Sequence, residues 1–248
     1  MNNLTQQQSG FLKGKKVVIL GGSSGIGLAT AKAAAGEDAK VVIVSSNQER
    51  VNNALKELPE GNNGYVVNLN NEQQVQDFFT KLGQFDHLVY TAGEALQLIN
   101  LADVAVADAK RFFDLRYWGA FTAVKYAAQY INSDGSIVLT GGIASLRPGK
   151  GWSLGASICA AMEGFTRAMA IELAPVRVNI VSPGVVKTNL WSNMTDAEKE
   201  AMYSGIGNNL PVKRVGEAED IAQAYLYLMR QQYGTGQMIV VDGGTVLV

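Results

Sequence analysis

KVVIL (16–20) runs straight into GGSSGIG (21–27). The first run is short and β-branched, the composition of a strand. From Gly25 to Gly36 the chain carries Ala and Leu at helical spacing. The turn between them holds glycines at 21, 25 and 27, the pattern G-x-x-x-G-x-G. Such a handover exposes backbone N–H groups at a helix N-terminus, and the missing Cβ atoms let an anionic group reach them. A glycine-rich turn by itself is often only a tight turn. Placed after the first strand of a strand–helix–strand pattern, it points to a pyrophosphate and hence to a dinucleotide.

The pattern continues outward from that turn. VVIVS (41–45) reads as a second strand, followed by a helix around 48–58, strand YVVNL (65–69), helix 71–82 and strand HLVYT (87–91). A long helix of about 104–131, strand SIVLT (136–140), a second long helix of about 155–174 and strand VRVNIV (176–181) come next. A looser stretch leads to a helix at 217–231 and a last strand, QMIVV (237–241). Strands that alternate with helices and are apolar on both sides predict a parallel sheet covered on both faces. The expectation is an α/β fold: a Rossmann-type, doubly wound sheet of seven parallel strands, in one domain over 11–248, with a loose Gln/Asn-rich tail over 1–10.

Composition narrows the partners. The 248 residues carry 21 Lys and Arg against 22 Asp and Glu, a formal net charge of −1. That balance offers no basic excess for a nucleic-acid backbone. Cys159 is the one cysteine, so no internal disulfide is possible. No apolar run approaches the ~18 residues of a membrane span, and MNNLTQQQSG lacks the apolar core of a secretory signal. A cytoplasmic protein is expected. No His, Cys or carboxylate cluster has metal-ligand spacing.

The motifs then become specific. LGGSSGIG (20–27), FDHLVYTAG (85–93), NIVSPGVVKT (179–188), RVGEAEDIA (214–222) and TGQMIVVDGG (235–244) occur in the order found in the short-chain dehydrogenase/reductase family, which this chain resembles over roughly 12–246. The resemblance implies that Gly21, Ser23, Ser24, Gly25, Ile26 and Gly27 hold the pyrophosphate. Ala92 and Gly93 would lie against the adenosine ribose, and Asn68 and Leu69 against adenine. Pro183, Gly184, Val185, Val186 and Thr188 would wrap the nicotinamide. Two departures sit together: Leu20 stands where the family has Thr, and Tyr90-Thr91 where it has Asn-Asn, which suggests a repacked floor. At the end of the second strand an NAD enzyme places a carboxylate for the ribose 2′-hydroxyl. This chain has Ser45, Ser46 and Asn47, with Arg50 a helical turn on, so NADP(H) is expected over NAD(H). An ordinary polar loop and helix start is the plainer reading of those four residues.

The family moves a hydride between the nicotinamide and a carbonyl or alcohol carbon. It uses a tyrosine as proton donor, a lysine four residues on that lowers the tyrosine pKa, a serine about thirteen residues earlier and an asparagine in the preceding helix. An unperturbed phenol, with pKa near ~10, is a poor base without such a cation. Aligned on AAMEGFTRAMAIELAP (160–175), the lysine position holds Cys159, the tyrosine position Gly155 and the serine position Gly142. LRYWGAF (115–121) puts Arg116 at the asparagine position. On this alignment all four functional side chains are absent, and no tyrosine between 131 and 202 offers another register.

Substitutes are few. Arg116 could point a cation inward, although a long helical arginine more often reaches for water. Cys159 reads as a small buried hydrophobe. Ser145, Ser153 and Ser157 read as caps or surface hydroxyls, His87 as a packed strand residue, and Trp152 as a lid or interface residue. Tyr90 and Tyr117 flank the site without a lysine. Three functions follow. One is an atypical NADP(H)-dependent oxidoreductase acting on an unknown carbonyl or alcohol with substitute acid–base groups. The others are a cofactor-binding sensor without turnover and a structural subunit. A possible substrate lid lies at 189–209. The small residues Gly155, Ala156, Ala160, Ala161 and Gly164 would let helices approach closely, so a homodimer or homotetramer is expected, as the resemblance implies.

Overall fold

The computed structural model describes residues 10–96 and 98–248. The expected tail, apart from Gly10, lies outside the described residues. Seven strands form one sheet: β1 (Lys16–Leu20), β2 (Lys40–Ser45), β3 (Asn63–Val66), β4 (Phe85–Tyr90), β5 (Ile131–Thr140), β6 (Arg177–Pro183) and β7 (Met238–Val241). Their order is β3-β2-β1-β4-β5-β6-β7, and every neighbouring pair is parallel. The fold is the Rossmann-type doubly wound sheet. Strand order reverses between β1 and β4, and a crevice opens there at the strands' C-terminal ends.

Burial on both faces explains the near-continuous apolar strands. On one face Val18, Leu20, Leu88, Leu139 and Ile180 pack against α3 (Glu72–Leu82), α5 (Ala120–Ala127) and α6 (Ser153–Glu172). On the other, Val17, Ile19, Val41, Ile43 and Val89 pack against α1 (Gly25–Ala35), α2 (Gln48–Lys56) and α8 (Ala218–Arg230). The alternation of strand side chains divides the two cores. Among the described residues no helix is long and apolar enough to cross a membrane.

Two elements differ from expectation, one through a contact from a distant strand and one for a local reason. The helix expected over 104–131 is broken. It begins as α4 (Val106–Arg111), opens into a π-helical turn over Asp114–Gly119, continues as α5, and gives way to β5 at Ile131. The N–H of Trp118 bonds to the Phe113 carbonyl, five residues back. Tyr90, at the end of β4, causes the opening: its hydroxyl donates to the Leu115 carbonyl at 2.5 Å. A Cβ at Gly119 would stand 2.6 Å from that hydroxyl oxygen. A side chain inserted into a helical ladder displaces it by a residue. Strand β3 sits earlier than YVVNL. The Asn68 side chain accepts from the Asn70 N–H at 3.0 Å, and Asn71 caps α3. Asparagine–backbone bonds of this kind end a ladder.

His87 is packed within β4, its Nδ1 2.9 Å from the Ser136 hydroxyl, and burial pushes its pKa down to about 4. The unfolded imidazole binds a proton near its ordinary 6.5, so between those values the unfolded state holds more protons and stability falls as pH drops. We expect His87→Gln to flatten the pH dependence of the urea midpoint between pH 6.5 and 4, removing up to about 3 kcal/mol of its span. An unchanged slope in the variant would contradict this account.

Candidate active site

A cavity of about 830 Å³ fills the crevice. At one end the β1–α1 turn meets β4 backbone to backbone. Gly21 adopts φ +89, and a Cβ there would lie 2.6 Å from the Ala92 nitrogen. A Cβ on Gly27 would overlap the Gly21 carbonyl and come within 2.5 Å of Thr91 Oγ1. The N-cap Ser24 gives no side-chain bond to α1, so the first-turn N–H groups face the cavity from Gly25, Ile26 and Gly27. That cradle, open to close approach and electropositive, fits a pyrophosphate.

The structure brings nearly every sequence-selected cofactor residue to this one wall. Gly21, Ser23–Gly27, Ser45, Ser46, Arg50, Asn68, Leu69, Ala92, Gly93, Pro183–Val186 and Thr188 line it. Asn47 does not. Its side-chain oxygen accepts from the Arg50 N–H at 2.9 Å and caps α2. Asn47 thus starts the helix and stands off the cavity wall. Leu20 and Tyr90 are paired across β1 and β4, and Thr91 donates to the Leu20 carbonyl through both its N–H (2.8 Å) and its hydroxyl (3.2 Å). The three unusual residues form one packed floor.

Arg116, Gly142, Gly155 and Cys159 line the same cavity, Arg116 beside Gly93 of the cofactor wall. A Cβ on Gly142 would come 3.2 Å from the Cys159 sulfur, so the thiol occupies the space beside that glycine. Burial pushes the thiol up to about 11, and it is neutral at ordinary pH. Gly155 faces Trp152, whose ring would be 3.6 Å from a Cβ. Trp152 itself walls the cavity. Arg116 differs from the expectation that it would reach for water. It is on the cavity wall, its Nη2 donates to the Glu94 carbonyl, and its Nε is buried without a partner. Burial lowers its pKa.

The remaining candidates are held elsewhere. Ser145 donates to Glu163, and Ser157 to the Ser153 carbonyl at 2.7 Å. Tyr117 stacks edge-on with Trp118 and Phe165 at 5.0 and 6.0 Å. Burial pushes the Tyr90 hydroxyl far up, which suits its structural bond and not proton transfer. Sequence reasoning missed Glu94, Arg147, Ser192 and Thr245, which line the cavity. Arg147 donates to the Thr245 carbonyl at 3.0 Å across 98 positions of chain; no local pattern announces such a contact. The segment expected as a lid forms a short turn at Asn189–Trp191 and α7 (Asp196–Asn209), and it contributes Leu190, Trp191 and Ile206 to the wall.

Residues 21–246 match the sequence profile described as enoyl-(acyl carrier protein) reductase. A short-chain dehydrogenase/reductase of an Acremonium species is 35% identical, with 95% of this chain and 97% of that protein covered. The chain belongs to the short-chain dehydrogenase/reductase family. A small-chain dehydrogenase solved in complex with NADPH superposes with a TM-score of 0.81 at 37% identity, covering 95% of this chain and all of the other. The structure of MalC, a reductase/Diels-Alderase of Malbranchea aurantiaca, superposes with a TM-score of 0.89 at 29% identity, covering 96% and 98%. This family member is thus oxidoreductase-like, with a nicotinamide dinucleotide as its cofactor.

Because no side chain fits at position 27, Gly27→Ala is expected to cost about 1–3 kcal/mol of stability through overpacking. It should also abolish NADPH fluorescence enhancement. Urea titration and a fluorescence titration check the two effects; a variant that folds and binds like wild type would show that the close approach is not required.

Proposed function

We propose that this protein is an NADP(H)-dependent oxidoreductase that acts on a carbonyl or alcohol of a bulky apolar substrate, without the proton-transfer side chains usual in its family. The observation that carries the reading is one cavity lined both by the glycine cradle and by Arg116, Gly142, Gly155 and Cys159. Bound in the cradle, the dinucleotide supplies or accepts a hydride. The chain's own contribution is to orient both reactants and exclude water between apolar walls. Phe112, Trp152, Trp191 and Ile206 supply those walls.

Ser45, Ser46 and Arg50 support NADP(H) over NAD(H), since they offer two hydroxyls and a cation to a 2′-phosphate and no carboxylate opposes it. The NADPH complex of a relative agrees. A homodimer or homotetramer belongs to the same reading. Trp118, Phe121 and Ile171 are exposed apolar residues on the α5 and α6 side, and a Cβ on Gly164 would meet open space.

Fluorescence titration should show tighter binding of NADPH than of NADH, and Ser45→Asp should weaken NADPH through charge repulsion. Equal or reversed affinities in the wild type would overturn the cofactor preference. Absence of turnover on a broad carbonyl and quinone panel, with NADPH bound, would favour the sensor reading.

The wild type should be a poor catalyst on simple ketones. A positioned acid–base group is worth about 10²–10⁴ in rate. Restoring Gly142→Ser, Gly155→Tyr and Cys159→Lys together should raise ketone reduction by roughly 10² or more. The backbone permits a side chain at 142: Gly142 is extended, with φ 177, and a Cβ there would stand 3.2 Å from the Cys159 sulfur, a contact that a small side-chain shift relieves. Gly142→Ser alone should achieve little, because the tyrosine and lysine that move the proton would still be missing. Wild-type rates on simple ketones that equal those of the triple variant would refute the reading.

A further inference from the structure

Arg116 is a cation on the cavity wall with no carboxylate bound to it. Among the described residues no salt bridge includes it. Its guanidinium carbon lies 5.5 Å from the centre of the Phe112 ring. Nη2 is engaged by the Glu94 carbonyl, and Nε is buried and unpartnered. The backbone is shaped around it, since a Cβ on Gly93 would lie 2.8 Å from Nη1. Its placement comes from below: the Tyr90 hydroxyl holds the Leu115 carbonyl at 2.5 Å, in the π-helical turn that carries Arg116.

The groups that its charge feels are Glu94, Cys159 and Tyr90. Cys159 and Tyr90 are neutral at ordinary pH, because burial raises both. Glu94 is exposed, so water screens it. A partly desolvated cation without a counter-charge is costly, and an anion brought into the cavity would offset that cost.

We propose that Arg116, backed by Gly93 and Phe112, is a binding site for the delocalised oxyanion of a planar apolar ligand, a phenolate or an enolate. This deepens the reading above, because it rests on the part of the cavity beside Arg116 receiving the substrate. A guanidinium stays protonated near neutral pH, so it holds a negative oxygen but has no proton to give. A localised alkoxide needs a proton at once, whereas a delocalised oxyanion does not. Each two-pronged edge of the guanidinium includes a nitrogen already engaged or buried. What remains suits a single oxygen better than the paired oxygens of a carboxylate. The apolar walls, Leu115, Trp152 and Ile158 among them, suit a flat ring.

The test uses 4-nitrophenol, whose phenolate absorbs at longer wavelength than the phenol. It is titrated into the full chain across pH, with and without saturating NADP⁺. Bound 4-nitrophenol should ionise at lower pH than free 4-nitrophenol, with the anion preferred roughly tenfold or more. Arg116→Met should lose that preference, and Arg116→Lys should recover part of it. No saturable binding by wild type, no preference for the anion, or a preference that survives in folded Arg116→Met would each overturn the proposal. The wild-type measurement is decisive even if the variants fail to fold. A parallel NADPH titration separates the two readings. NADPH binding without anion preference defeats the oxyanion site alone, and anion preference without NADPH binding defeats the oxidoreductase reading alone.

Discussion

Between the β1–α1 turn and the end of β4, two backbones approach with no room for a Cβ on either Gly21 or Gly27. The rest of the site depends on that approach. It brings the N-terminus of α1 to the crevice where strand order reverses, and leaves its first N–H groups facing the cavity instead of a side-chain cap. It also ties the two strands together, since Thr91 bonds to the Leu20 carbonyl from both its N–H and its hydroxyl. Sequence changes at Leu20, Tyr90 and Thr91 are therefore one change seen at three positions. They alter the floor while the cradle above it keeps its shape.

The same floor reaches the part of the cavity beside Arg116. Tyr90 is among the largest fully buried side chains, and its hydroxyl satisfies itself on Leu115. A buried phenol must find a partner, and a helix carbonyl is the one at hand. The π-helical turn follows, and it carries Arg116 onto the cavity wall. A residue in a β-strand thus positions a cation 26 positions further along the chain. Arg116 is charged but only partly satisfied, which costs stability in the empty protein and suits a site whose ligand completes it.

At Gly142 and Cys159 the logic is subtraction. The two small residues face each other closely, a Cβ on Gly142 coming 3.2 Å from the thiol sulfur. Burial keeps the thiol neutral and unreactive as a nucleophile. Ile143, Ala144 and Ile158 line the cavity beside them. Arg147 bonding to Thr245 closes the outer rim from two distant segments.

The sequence by itself determined the order of the elements, the two-faced sheet and the cradle, because each follows from local rules. Apolar runs mark strands covered on both sides, glycine spacing marks a turn without Cβ atoms, and the Ser45-Ser46 strand end has no carboxylate. Gly142, Gly155 and Cys159 could likewise be located by counting along one helix and one strand. Tertiary structure alone decided the aim of Arg116 and the break in the long helix; the early end of β3 and the Asn47 cap rest on local asparagine–backbone bonds, which the strand and cofactor patterns passed over. The physical reason is range. Helical periodicity records which face of a helix is buried, but a phenol arriving from β4 overrides it. An arginine's direction likewise depends on whether Gly93, Phe112 and the Glu94 carbonyl stand beside it, contacts that close only when the sheet and helices have packed.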